Sequence, residues 1–200
     1  MSAQTTYGFK TAAGAAGGIV DLAPYKIDTF INKEATGTMK FGYGVIRHSG
    51  NICKLPVAGT TADKFLGIVV NNRSTELNLE GGVYIREKAA LGVMRFGGIY
   101  AKVASGLTIA AGDKAYLIIS GDDAGKFTNV SGGTTIAVNG VFEGAADSQC
   151  VAPVTLLNAP AVDNDTVYTL PAASATALGG VKVGSGLDVS DDGTISVHQG

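Results

Sequence analysis

The chain has 200 residues, 15 Lys+Arg against 17 Asp+Glu, a formal net charge of -2, 16% charged and 46% hydrophobic residues, 29 Gly, 5 Pro and no Trp. A chain of this length suffices for one domain that buries roughly two thirds of its unfolded surface without disulfide or metal staples. Because Lys and Arg are scattered singly, the sequence offers no electrostatic footprint for a nucleic-acid backbone or an anionic membrane, and the low charge with abundant Gly favours turn-dense β structure over long helices.

Residues 1–18 are mostly Thr, Ala and Gly, with Tyr7 and Phe9 as the only large apolar side chains and Lys10 beside them. Such a segment cannot close a core and reads as an extended arm. It lacks a basic region followed by an apolar run, so no secretory signal is expected, and no stretch of the chain reaches the roughly 18 apolar residues that span a bilayer.

From Ile19 to Leu157 short apolar runs alternate with Gly, Asn, Asp and Pro clusters, the pattern of a small all-β barrel or sandwich over residues 19–157. Phe41, Tyr43 and Val45 alternate, His48 to Asn51 turns the chain, and Ile52 to Leu55 returns before Pro56, which predicts a hairpin. Phe65 to Val70 is an apolar run rich in β-branched residues, as expected of a strand buried on both faces at the core centre. Val83–Ile85 and Leu91–Arg95 precede Gly97-Gly98, where a tight turn is expected to lead into Ile99–Val103, with Ile99, Ala101 and Val103 on one face. Further short strands follow at Lys114–Ile119, Lys126–Thr128, Ile136–Val138, Val141–Glu143 and Val151–Leu157. Helical periodicity is nearly absent.

After Leu157 the composition shifts. Residues 158–167 read as a linker, and 168–200 as a separate segment whose end carries a hairpin signal: Leu187 and Val189 alternate, Asp192-Gly193 turns, and Ile195 and Val197 alternate again. A lone hairpin is barely stable in water. Its apolar face is therefore expected to be covered by copies of itself.

Residues that could do chemistry are few. Cys53 and Cys150 lack the second pair of a zinc site and read as reduced thiols. His48 with Cys53 has the spacing any hairpin offers, and His198 sits at the end of the chain. Gly179-Gly180-Val181-Lys182 lacks the spacing of a phosphate-binding loop. Asp122-Asp123 and Asp191-Asp192 lack the alternating ligands of a calcium loop and read as solvated turns. Tyr84, Tyr100, Tyr116 and Phe127 could form an aromatic platform for sugars, although Trp is missing. No catalytic residue, metal site or cofactor is expected. What remains is a rigid β block whose exposed edges and ends are satisfied by other protein molecules.

The order of segments carries a resemblance. A Gly-rich opening arm is followed by Phe41-Gly-Tyr-Gly-Val-Ile-Arg47, Lys54-Leu-Pro56, Phe65-Leu-Gly-Ile-Val-Val70, Gly97-Gly-Ile-Tyr-Ala-Lys-Val103 and Ala110-Ala-Gly-Asp-Lys-Ala-Tyr116. Over residues 14–157 this resembles the structural cement, or decoration, proteins of tailed-bacteriophage capsids. Ala175 to Gly184, Leu187 and Asp192 to Val197 resemble segments of phage head and tail fibres. The resemblance implies a virion protein on the outer capsid surface that bridges neighbouring copies of the major capsid protein, commonly as a homotrimer. Tyr7, Phe9 and Lys10 are then the candidate capsid-binding residues of the arm. Leu178, Val181, Val183, Leu187, Ile195 and Val197 are the candidate trimer contacts of a short projecting spike. The additional segment also suits a head-fibre base that binds a head-fibre protein, or a tail component. A carbohydrate-binding module is the rival from another class.

Overall fold

The structure, a computed structural model, describes residues 14–71, 76–77, 83–157, 187–190 and 194–197. The chain falls into two compact units, 1–162 and 163–200. The first contains β1 (Lys26–Asn32), β2 (Gly44–Ser49), β3 (Ile52–Lys54), a 3-10 turn (Ala62–Lys64), β4 (Phe65–Val69), β5 (Glu76–Leu77), β6 (Val83–Tyr84), β7 (Ala90–Lys102), β8 (Lys114–Ile118), β9 (Phe127–Thr128), β10 (Thr135–Phe142) and β11 (Val151–Leu156). The second contains β12 (Leu187–Val189) and β13 (Ile195–Val197). The fold is all-β, as the sequence predicts. Strands β1, β3, β2, β4 and β7 follow one another around a ring that closes because β7 pairs with both β4 and β1, so the alternative of barrel or sandwich resolves to a barrel with added strands.

Strand β7 links barrel and added sheet. Its first half, Ala90 to Phe96, pairs with β1; its second half, Gly97 to Lys102, pairs with β11 and starts the sheet β7-β11-β10-β8-β9. The expected tight turn at Gly97-Gly98 is therefore corrected: both glycines lie within one strand, at the point where it changes partners. Gly97 has φ +113, and a Cβ there would stand 2.5 Å from the Cβ of Tyr25, so a larger residue meets both a left-handed backbone and a blocked space. The strand also folds back there. Val70 donates to the Gly92 carbonyl, yet Gly17 bonds both Tyr100 and Asn71. Eight residues of straight strand would separate Gly92 from Tyr100 by about 26 Å.

Strand β1 was not anticipated. It runs parallel to β3 and antiparallel to β7, and without it the ring would stay open. Its signal is weak because only Phe30 and Asn32 are fully buried, and Asn32 is polar. The runs expected at Ile136–Val138 and Val141–Glu143 are one strand, β10, with an irregularity between Ala137 and Val141. The expected exposed edges are also reduced, since among the described residues the barrel strands leave none and the outer strand β9 is bridged at Phe127 by Val103.

Two apolar clusters result. Phe30, Met39, Val45, Cys53, Leu66 and Val93 belong to the barrel cluster. Ile46, Ile68, Val70 and Met94, carried by the same barrel segments, join Ala101, Leu117, Phe127 and Phe142 of the second sheet. Strand β4 thus supplies Leu66 and Val69 to one cluster and Ile68 to the other, which is the doubly buried strand expected for Phe65–Val70. Phe127 is fully buried edge-on to Phe65, at 6.4 Å between ring centres, so it is not available to a sugar platform.

Gly67 holds β4 against β7. It has φ +151, and a Cβ there would lie 1.9 Å from the Met94 carbonyl oxygen. Backbone strain at such a position costs roughly 1–3 kcal/mol before the clash is counted. Gly67→Ala is therefore expected to reduce the unfolding free energy by at least about 2 kcal/mol, seen as a lower urea midpoint at unchanged slope. An unchanged midpoint would show that the close approach is not a constraint.

Candidate functional site

The expected arm residues Tyr7, Phe9 and Lys10 lie outside the described residues, as do Leu178, Val181 and Val183 of the expected spike. The described part of the arm, residues 14–18, is held by the body. Gly17 N donates to the Tyr100 carbonyl at 2.7 Å, Asn71 N to the Gly17 carbonyl at 2.8 Å, and Tyr100 N to the Gly18 carbonyl at 2.8 Å. Ile19 then bridges Ile99 in antiparallel fashion. The segment fills the fork between the end of β4 and the folded-back half of β7. Its glycines answer to this fit: a Cβ on Gly14 would enter the Tyr100 ring at 2.3 Å, and one on Gly17, at φ +79, would lie 2.7 Å from Asn71 N. A composition that reads from sequence as a loose arm is, at its root, a set of close backbone approaches.

The next organised surface is one end of the barrel, where β1 and β3 finish and β2 and β7 begin. Buried Asn32 arranges it. Its amide donates to the carbonyls of Glu34 (3.2 Å) and Arg86 (2.8 Å), while its oxygen accepts from Glu34 N at 2.9 Å. Its backbone bonds Ala89 and Lys88. The Glu34 carboxylate then accepts from Leu55 N, and Gly37 N donates to the Ile85 carbonyl. These bonds tie three loops together. Lys33, Lys40, Arg86 and Lys88 are exposed on them. Asn32 was missed from sequence because an Asn inside an apolar strand has no local signature; only its partners across the fold reveal its role.

The expected hairpin forms between β12 and β13, with Leu187 opposite Val197 and Val189 opposite Ile195. Leu187, Ile195 and Val197 are 44%, 48% and 70% exposed, so these three apolar side chains are uncovered in the single chain.

The residues considered for chemistry are kept apart. His48 is exposed, whereas Cys53 is buried in the barrel with its thiol pKa pushed up to about 11 by burial, the opposite of an activated nucleophile. Both cysteines are free. Asp122 and Asp123 lie in a turn as expected, and the partly exposed Asp123 is bonded to Lys126 at 2.6 Å. Beside it, Ser120–Asp123, Val130–Gly132 and Thr134–Thr135 border an open polar groove. Among the described residues no group of three His, Cys, Asp or Glu could hold a metal ion, and no helix is long and apolar enough to cross a membrane.

Comparison with known proteins decides the class. Residues 3–158 match the family described as Structural cement protein (E217 gp24/Pam3 gp6). The chain belongs to the bacteriophage structural cement protein family. It is also similar in fold to a chain in the structure titled "The capsid of Myoviridae Phage XM1", with a TM-score of 0.60 and 21% identity over 79% of this chain and 99% of that one. No curated protein matches it. The cement protein is thus a structural component of the phage virion, and both the fork that seats residues 14–20 and the barrel end lie within the matched region. Residues 168–200 lie beyond it.

Removing the Asn32 side chain strands the Glu34 N–H and two carbonyls in a half-buried site, where each unmet bond costs roughly 1–3 kcal/mol. Asn32→Ala is expected to lower stability by about 3 kcal/mol, measured by urea unfolding, whereas Lys33→Ala beside it should leave the midpoint in place. Cys53 should resist thiol reagents near neutral pH in the folded protein and react only after denaturation. Rapid labelling of Cys53 in the native protein would contradict the closed barrel.

Proposed function

We propose that the cement protein sits on the outer capsid surface and stabilises the shell by bridging adjacent major capsid proteins. In this reading it acts as a homotrimer, with residues 1–18 as a strap and 168–200 as a short spike. The observation that carries the reading is the seating of residues 14–20 in the fork of β4 and β7. A strap transmits load only when its root is fixed, and here backbone hydrogen bonds on both sides fix it. Tyr7, Phe9 and Lys10 would make the distal contacts. A trimer touching several capsomers gains from effective concentration, so contacts that are modest singly hold the seam together.

The spike reading rests on the exposed Leu187, Ile195 and Val197 of the hairpin, which three copies could bury together with Leu178, Val181 and Val183. A second reading, a head-fibre base or a tail component, is favoured by the extension beyond the matched family region. Copy number per virion separates them: hundreds for a cement protein, few for a tail part. The proposed role needs no catalytic group, metal or cofactor.

Sedimentation of shells stripped of cement protein and mixed with purified chains tests the strap. Deleting residues 1–13 is expected to weaken occupancy at least tenfold, about 1.4 kcal/mol, with the body still folded. Deleting 158–200 is expected to keep the body's unfolding midpoint and to reduce the mass from trimer to monomer. Full occupancy without the arm would remove the strap from the mechanism, and an intact trimer without the tail would remove the spike.

A further inference from the structure

Charge is divided unevenly along this chain. Residues 1–102 carry twelve Lys and Arg against seven Asp and Glu, whereas residues 103–200 carry three against ten. Within the first unit the fold makes part of this division spatial, because the barrel is built almost entirely from the first half, while residues 103–157, with five Asp and Glu against two Lys, supply β8 to β11.

Within the barrel, the registers gather part of the positive charge at one end. Lys33 follows the last residue of β1, Lys54 ends β3, Lys40 precedes β2, and Lys88 precedes β7. Among the described residues Glu34, Glu87 and Asp123 accompany them, with Asp123 paired to Lys126 at 2.6 Å beside Tyr43. Glu34 already accepts from Leu55 N, and Glu87 lies 3.9 Å from Lys88 in an exposed pair. Exposed pairs of this kind are screened by solvent and contribute little. Clustering like charges on loops locked by a buried Asn does nothing for folding; the repulsion persists in the folded state and would be relieved by a partner of opposite sign.

The arm joins the body at the same end. A Cβ on Gly42 would stand 3.0 Å from the Cβ of Ala16, and one on Gly17 would stand 3.0 Å from the Cβ of Phe41, the residue after Lys40. The root of the strap and the basic loops are therefore neighbours.

We propose that this basic barrel end is the surface that faces the shell, and that it meets a carboxylate-bearing protein surface there. The inference rests on the shell-binding reading given above and deepens it by naming the docking face and the chemistry of its partner. A mixed protein surface fits better than a nucleic acid. Residues 103–157 of the same unit carry five Asp and Glu against two Lys, which disfavours a dense polyanion, while a few fixed cations can pair with carboxylates at short range. Because the loops are held by Asn32, Glu34 and Gly37, the cations are presented with little ordering left to do on binding.

The experiment uses the full chain carrying both Lys33→Glu and Lys88→Glu, with Lys114→Glu on the second sheet as a control, added to cement-free shells at low and high salt. All three positions are exposed, so the unfolding midpoints should match wild type. Should the double reversal unfold, the neutral pair Lys33→Gln and Lys88→Gln replaces it. The double variant is expected to lose at least tenfold in occupancy at low salt, the control to bind normally, and wild-type binding to weaken as salt rises. Wild-type occupancy by the double variant would overturn the docking face while leaving the shell-binding reading intact. Failure of the wild type to bind shells at any salt would overturn both. Binding of the wild type to naked double-stranded DNA, abolished by the same reversal, would overturn the carboxylate assignment in favour of a nucleic acid.

Discussion

The structure depends on one strand serving two sheets. β7 closes the barrel with its first half and founds the second sheet with its last six residues, and this is possible only because Gly97 accepts a left-handed backbone against Tyr25. Chain that would otherwise form two separate hairpins is thereby fused, and the two apolar clusters share the segments that separate them. Met94 and Val93 are adjacent in β7 yet belong to different clusters. A body built this way resists shear between its layers, since sliding one sheet over the other would break a continuous backbone ladder.

The same fold-back creates the fork that receives residues 14–20. Tyr100 and Asn71 are brought to one place by the corner at Gly97, and the arm's root is the segment that satisfies both. Gly17 is tied on one side to Asn71, just after β4 of the barrel, and on the other to Tyr100 of β7, which belongs to both sheets. Among the described residues, closing the barrel also leaves no barrel edge for a partner to extend.

Much of the fold was legible from local pattern. The continuous apolar run of Phe65–Val70, the alternation in Ile99–Val103, and the turns at His48–Asn51 and Ala111–Asp113 report themselves because side-chain period and turn chemistry are properties of a few adjacent residues. The family resemblance was legible for a related reason, as an order of such segments. Asn32 and β1 were not, because a polar residue inside a strand acquires its meaning from Glu34, Arg86 and Ala89, two of them more than fifty positions away.

By itself the sequence determined the all-β class, the doubly buried central strand, a hairpin with one apolar face near its end, and membership in a group of capsid-associated proteins, all of which follow from short-range periodicity or from motif order. Only the tertiary structure decided that the sheet closes into a barrel, that Gly97-Gly98 is a corner rather than a turn, that the glycines of the arm are contacts, and that lysines scattered singly along the chain collect at one barrel end. The reason is physical. Closure, close approach and charge clustering are fixed by which distant segments pair, and pairing between strands is settled by the packing of the whole core.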